Sequence, residues 1–198
     1  VVARRPAIAK SAVATGRGDD GTTGLLYGGR IAKDDPRTEA YGTVDEAVAA
    51  LGVARVELTA AGLVDLAESV LRWQRELFVV GAELATNPDA RDRLEDGVTR
   101  VTEAMLEGVE AELARWEASV EMPREFIVPG ETRASAALEL ARAVLRRAER
   151  RVTSLGNSER LGGSWVVPYV NRLADLVWVL GRAAEQAEHA PATKARVR

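Results

Sequence analysis

The chain contains no cysteine and a single histidine, His189. The first absence excludes disulfides, thiolate metal sites and cysteine nucleophiles, and it fits a cytoplasmic protein. The second leaves no multi-histidine metal centre, no histidine-based catalytic triad and no histidine proton shuttle in the core. Lysine is scarce as well. Of 27 basic residues only Lys10, Lys33 and Lys194 are lysine, so any single arginine is weak evidence of a site. No apolar run reaches the roughly 20 residues that cross a membrane, and no signal-peptide core follows the start. A net charge of -3 disfavours general nucleic-acid binding, and aromatics do not interleave with the basic residues. Chemistry is left to Arg, Lys, Asp, Glu, Asn, Ser and Thr, or to the substrates themselves.

What is present suits one domain with a sizeable core: 198 residues, 46% hydrophobic and 29% charged. Residues 1–14 lack a clear period and read as an N-terminal arm. Residues 15–190 carry the domain, and 191–198 form a basic tail expected to trail off. Five helices are expected: 36–61, 64–86, 91–119, 131–155 and one from about 167. Pro36 suits a helix start, Asn87-Pro88 a stop, and Thr132 an N-cap. Apolar stripes run through Val44, Ala47, Leu51, Ala54 and Leu58, then Ala67, Val70, Leu77, Phe78 and Leu84. In the third segment Leu94, Val98, Val101, Val109 and Trp116 share a face. With no convincing strand and no internal repeat, the expected fold is all-α, an up-and-down five-helix bundle. Ferritin-like di-iron chemistry needs paired Glu-x-x-His motifs, which one histidine cannot supply.

Two stretches carry chemistry. Residues 15–24 hold four glycines among small hydroxyl and acidic residues, a loop in which backbone N–H groups approach a ligand closely. It is not a P-loop, because Thr22 stands where lysine is required. Its Gly16-x-Gly18-x-x-Gly21 spacing matches a dinucleotide fingerprint without the preceding strand and following helix. A flexible turn and a phosphate-binding loop read equally well. The second stretch, residues 142–151, is a helix rich in arginine. Arg142, Arg146, Glu149 and Arg150 share one face, Arg147 and Arg151 lie beside it, and Ala141, Val144, Leu145, Ala148 and Val152 form a separate apolar stripe. Clustered guanidinium groups are comfortable in water, beside carboxylates, or around a polyanion such as triphosphate. A third stretch, Phe126-Ile127-Val128-Pro129-Gly130, reads as a loop pinned on the core by Phe126 or Ile127, or as an apolar wall for a bulky ligand.

Four segments, taken together and in order, resemble the PduO-type ATP:corrinoid adenosyltransferases. They are Thr15-x-x-Gly18-Asp19-x-Gly21-x-Thr23 with Gly29-Arg30-x-x-Lys33; Tyr41-Gly42-Thr43-Val44-Asp45-Glu46; Phe126 to Gly130; and Arg142-x-x-x-Arg146-Arg147-Ala148-Glu149-Arg150-Arg151 with Tyr169-Val170-Asn171-Arg172-Leu173-Ala174-Asp175. The resemblance implies a homotrimer with sites between subunits. It implies transfer of the 5'-deoxyadenosyl group of ATP to the cobalt of reduced cobalamin, with Mg²⁺ as cofactor and triphosphate as leaving group. It places Thr15, Gly16, Gly18, Asp19, Gly21, Thr23 and Lys33 around the ATP phosphates, joined by Arg142, Arg146, Arg147, Glu149, Arg150 and Asn171. Arg146, Arg150, Glu149 and Asp45 would serve the reaction, with Asp45 pairing Arg146 across the interface. Phe126 would lie beneath the corrin and keep the lower axial ligand from cobalt. A reductase and an adenosylcobalamin-dependent mutase are the implied partners. A non-catalytic carrier or sensor of adenosylcobalamin is the alternative on the same fold. The chain departs from the family pattern at Ala14, Glu131, Glu139 and Ala174, where an aromatic, a glycine, a histidine and a serine are usual.

Overall fold

A computed structural model describes residues 11–157 and 161–196. Most of the expected N-terminal arm, 1–10, lies outside the described residues. So do 158–160 of the connection before the last helix and the end of the tail, 197–198.

Five α-helices are present among the described residues: α1 (Pro36–Ala60), α2 (Val64–Leu84), α3 (Glu103–Glu117), α4 (Arg133–Gly156) and α5 (Val166–Ala187). Four begin or end where the sequence places them, within a residue or two. Asp35 caps α1 by accepting from the Arg37 N–H, ahead of Pro36. Thr132 and Ser135 form a reciprocal capping box on α4. α1 lies along both α2 and α4, and α5 packs on α4 and α3. α1 and α4 run antiparallel: Glu57 near the end of α1 meets Arg133 at the start of α4 (3.0 Å), and Glu39 near the start of α1 meets Arg151 (3.2 Å). The apolar stripes close into one core, with Leu51, Leu58, Leu77, Leu138, Leu145, Tyr169 and Leu173 fully buried. Burial, with the Glu76 carboxylate on its hydroxyl (3.0 Å), raises the Tyr169 pKa well above its ordinary value.

The third segment differs from expectation. Instead of one helix over 91–119 there is a 3-10 helix, Pro88–Arg93, then an irregular loop, and only then α3. Gly97 adopts a left-handed conformation (φ 73°), Thr99 Oγ1 accepts from the Glu95 N–H (2.8 Å), and Thr102 caps α3. Leu94 and Val101 remain buried and anchor the loop, but Val98 is 60% exposed. Phe78, read as core on α2, is also exposed, and Trp73 takes the buried position.

The chain is also not purely helical. β1 (Thr22–Gly24) and β2 (Arg30–Ala32) form an antiparallel hairpin, and β3 (Ile127–Val128) pairs with β4 (Thr193–Lys194). The second pair corrects the reading of the tail as trailing off. The Ala195 N–H also donates to the Phe126 carbonyl (2.8 Å), and Lys194 pairs with Glu125 (3.1 Å).

The β1–β2 hairpin is fastened to the end of α2. The Leu26 N–H donates to the Ala85 carbonyl (2.9 Å) and the Asn87 N–H to the Leu26 carbonyl (3.1 Å). Arg37, buried at the start of α1, donates through Nη1 to the carbonyls of Leu84 (2.7 Å) and Thr86 (3.2 Å). The Leu84 carbonyl is among those a helix end leaves without intrahelical donors, and Thr86 lies just beyond the cap. Replacing Arg37 with leucine strips a charged donor from two buried acceptors. The Arg37→Leu protein is expected to lose about 3 kcal/mol of stability, measured by urea unfolding, with its helical content at zero denaturant unchanged.

Candidate functional site

The glycine-rich loop is a shaped structure. Gly16 (φ 67°) and Gly21 (φ 80°) take conformations that other residues avoid. The Lys33 side chain crosses Gly18 so closely that a Cβ there would lie 2.9 Å from Nζ. The Lys33 N–H donates to the Gly21 carbonyl (2.9 Å). Lys33 and the loop are therefore one unit. Thr15 turns inward enough to accept from the Arg17 N–H (3.4 Å), the Asp19 N–H donates to the Gly16 carbonyl (3.3 Å), and Thr23 lies in β1.

A set of contacts that the sequence reading missed holds this loop. Arg30 on β2 donates through Nε to Thr22 Oγ1 (2.9 Å) and through Nη2 to the Arg17 carbonyl (2.5 Å). Asp20 accepts from both the N–H (2.9 Å) and the hydroxyl (2.7 Å) of Thr22. The signal was the hairpin register, which pairs Gly24 with Arg30 and brings that arginine back over the loop. The Thr22 side-chain bond first, then its N–H, with a smaller contribution from the Arg30 charge, lower the Asp20 pKa from 3.8.

The arginines of α4 divide by side. Arg147 and Arg151 turn toward α1, where Arg147 pairs with Glu46 and Arg151 with Glu39. Arg147, read as an ATP contact, thus has an exposed carboxylate partner in this chain. Arg142 and Arg146 turn the other way, into a cavity of about 400 Å³ walled by Arg172, Asp175 and Trp178 of α5 and Glu117 of α3. Arg150 folds back onto the Arg146 carbonyl (3.0 Å). Glu149 Oε1 accepts from Asn171 Nδ2 (2.8 Å), which ties the arginine helix to α5. Asp45 is exposed on α1, and among the described residues it does not pair with Arg146. Its neighbour Glu46, a turn of about 100° away, is the one that meets α4. Nor does any hydrogen bond or ion pair among the described residues join the glycine-rich loop to Arg142, Arg146, Glu149 or Arg150.

Phe126 is 86% exposed, so it does not pin its segment to the core. The pairing of β3 with β4 fixes the segment instead. Ile127, the next residue, lines a cavity of about 800 Å³ with Met122, Arg182, Gln186 and His189. Successive residues of an extended segment face opposite ways, so Phe126 is presented to the outside of the ribbon.

The geometry defines a class: a helical bundle with a hydrogen-bonded glycine-rich loop, a guanidinium cluster on one helix and a displayed aromatic. The chain belongs to the cobalamin adenosyltransferase family, whose model matches residues 13–184. It is 39% identical over 171 residues to a corrinoid adenosyltransferase of Citrobacter freundii, covering 86% of this chain and 93% of that one. It is 37% identical over 169 residues to a corrinoid adenosyltransferase of Bacillus subtilis, covering 85% and 83%. Among solved structures, a variant of the PduO-type ATP:corrinoid adenosyltransferase from Lactobacillus reuteri complexed with cobalamin and ATP superposes with a TM-score of 0.79. It is 29% identical and covers 91% of this chain and 97% of that one. Another variant of that enzyme, complexed with ATP, gives 0.77 at 28% identity, over 91% and 98%.

A folded-state pKa held below 3.8 means that the loop's contacts favour ionised Asp20. Those contacts are intact above the unfolded value and weaken as pH falls through the depressed one. A carboxyl-carbon NMR titration should therefore give Asp20 a midpoint below 3.8, and Thr22→Val should move that midpoint upward.

Proposed function

We propose that the chain transfers the 5'-deoxyadenosyl group of ATP to the cobalt of reduced cobalamin, giving adenosylcobalamin and triphosphate. The observation that carries this reading is the guanidinium cluster of Arg142, Arg146 and Arg150, fixed to α5 through Glu149 and Asn171. Family membership and the relatives' names support it.

Reduced cobalt supplies the electron pair, so the protein needs no nucleophile of its own. The new Co–C bond forms at C5' as the C5'–O bond breaks, and the bond's electrons leave with triphosphate. No proton must be removed. A chain without cysteine and with one peripheral histidine is therefore equipped for the reaction. Its task is to align the two substrates and to stabilise negative charge growing on the leaving oxygens. Arg146 and Arg150 do the latter, on a helix that Glu149 ties to α5 through Asn171. The loop residues Thr15, Gly16, Gly18, Asp19, Gly21 and Thr23, with Lys33, cradle the phosphates. Arg147 joins them by releasing Glu46, since an exposed ion pair holds it only weakly.

Among the described residues no hydrogen bond or ion pair joins the loop to the arginine face, which favours a site completed by a second copy. We place the protein as a homotrimer in which Asp45 of one subunit pairs with Arg146 of the next. The exposed apolar residues Val53 and Val56 of α1 and Leu140 of α4 suit burial between subunits. Mg²⁺ is commonly held by one or two carboxylates together with substrate phosphates. Glu149 fits that role, because among the described residues its Oε2 accepts no hydrogen bond while Asn171 occupies Oε1. Bound there, the ion would neutralise triphosphate charge. Phe126, apolar and displayed, excludes a donor atom from the lower face of the corrin and so eases reduction to Co(I). We place the protein in the cytoplasm, with a reductase supplying the reduced corrinoid and a mutase receiving the product.

Arg146→Ala and Arg150→Ala should each lower turnover by about 100-fold or more while leaving the protein folded. The assay is anaerobic conversion of chemically reduced cobalamin with ATP and Mg²⁺, followed by visible spectroscopy. Normal turnover in either variant removes that residue from the site. Adenosylcobalamin bound tightly by the unaltered protein without any turnover would point to a carrier instead. Phe126→Ala should slow adenosylation starting from cob(II)alamin under mild reductant more than adenosylation of pre-formed cob(I)alamin. Equal slowing of both would count against the axial-ligand role.

A further inference from the structure

α5 is apolar along its buried face except for Arg182 and Glu185, both 3% exposed. Arg182 pairs with Glu185 in a two-pronged arrangement, Nε to Oε2 (2.7 Å) and Nη2 to Oε1 (2.8 Å). Its third prong, Nη1, reaches Oε1 of Glu139 on α4 (2.9 Å). The other oxygen of Glu139, Oε2, accepts from Nε of Arg142 (2.7 Å). Glu139 is buried, and Arg142 is only partly so, opening onto the cavity it shares with Arg146 and Trp178.

We infer that Glu139 is a positioning residue for ATP binding, acting through Arg142. This rests on the placement of Arg142 in the nucleotide site proposed above. The carboxylate is immobile because a buried guanidinium holds it from below. It engages Arg142 at Nε, so the two terminal nitrogens, which make no hydrogen bond among the described residues, project as a ready fork for phosphate oxygens. A long arginine chain ordered on folding has less freedom to lose when the ligand arrives. Glu139 is not required to neutralise Arg182, which keeps both oxygens of Glu185. Removing the Glu139 charge therefore acts chiefly on Arg142.

The test is a double-mutant cycle on the full chain, comparing the unaltered protein, Glu139→Gln, Arg142→Ala and the pair. KM for ATP, kcat and thermal melting are measured for each. Glu139→Gln is expected to raise KM for ATP about three- to tenfold with kcat within about twofold, and to have no further effect on KM once Arg142 is alanine. An unchanged KM in Glu139→Gln overturns the inference. So does an equal increase in both backgrounds, which would mean that Glu139 acts other than through Arg142. If Arg142→Ala itself leaves KM for ATP unchanged, the placement of Arg142 fails and the inference falls with it. Should Glu139→Gln not fold, Glu139→His takes its place in the cycle, with the same outcomes.

Discussion

The structure depends on the burial of one stripe of α4. Ala141, Leu145, Ala148 and Val152 are fully buried between α1 and α5. Small and branched apolar side chains let the two neighbours approach closely, and the close packing fixes the rotation of α4 about its own axis. Once that rotation is set, the arginines have no choice of side. Arg147 and Arg151 face the carboxylates of α1, while Arg142 and Arg146 face the cavity beside α5 and α3. An apolar interaction, with no direction of its own, thereby aims a set of charges.

The second element of the site reaches its place by a different route. The glycine-rich loop has no apolar face to bury. It is shaped by its own hydrogen bonds and by Arg30, and it is located by the hairpin tip on the end of α2. Arg37 meets the same helix end from within the core. Variants of the Lactobacillus reuteri enzyme that superposes on this chain are complexed with both cobalamin and ATP.

Phe126 shows how a chain keeps an apolar residue at its surface without losing it to the core. Its segment could have collapsed inward, as four successive apolar residues invite. A two-residue strand from the C-terminal region instead pairs with Ile127 and Val128, and the alternation of extended backbone sends Ile127 to one side and Phe126 to the other. Backbone hydrogen bonds, rather than side-chain burial, decide the outcome. The buried Arg182 is a related case. In the sequence, Arg182-x-x-Glu185 within an apolar helix is a visible i,i+3 pair, but the third guanidinium contact, to Glu139, comes from 43 positions away.

The sequence by itself determined four of the five helices to within a residue or two and supplied the candidate residues of the site. Helical period, the caps at Asp35 and Thr132, and the order of the four motifs are local properties, written within a few residues of where they act. Tertiary structure decided what required a distant partner. It broke the third helix, because Leu94 and Val101 anchor in the core while Gly97 turns the chain between them. It chose Trp73 over Phe78 for the interior of α2. It drew the C-terminal segment onto β3, and it turned Arg147 and Arg151 of α4 to carboxylates and Arg142 and Arg146 to the cavity. The physical reason is common to all four. Periodicity reports which face of an element is apolar, whereas the packing of faces against one another fixes where each charged residue on the opposite side points.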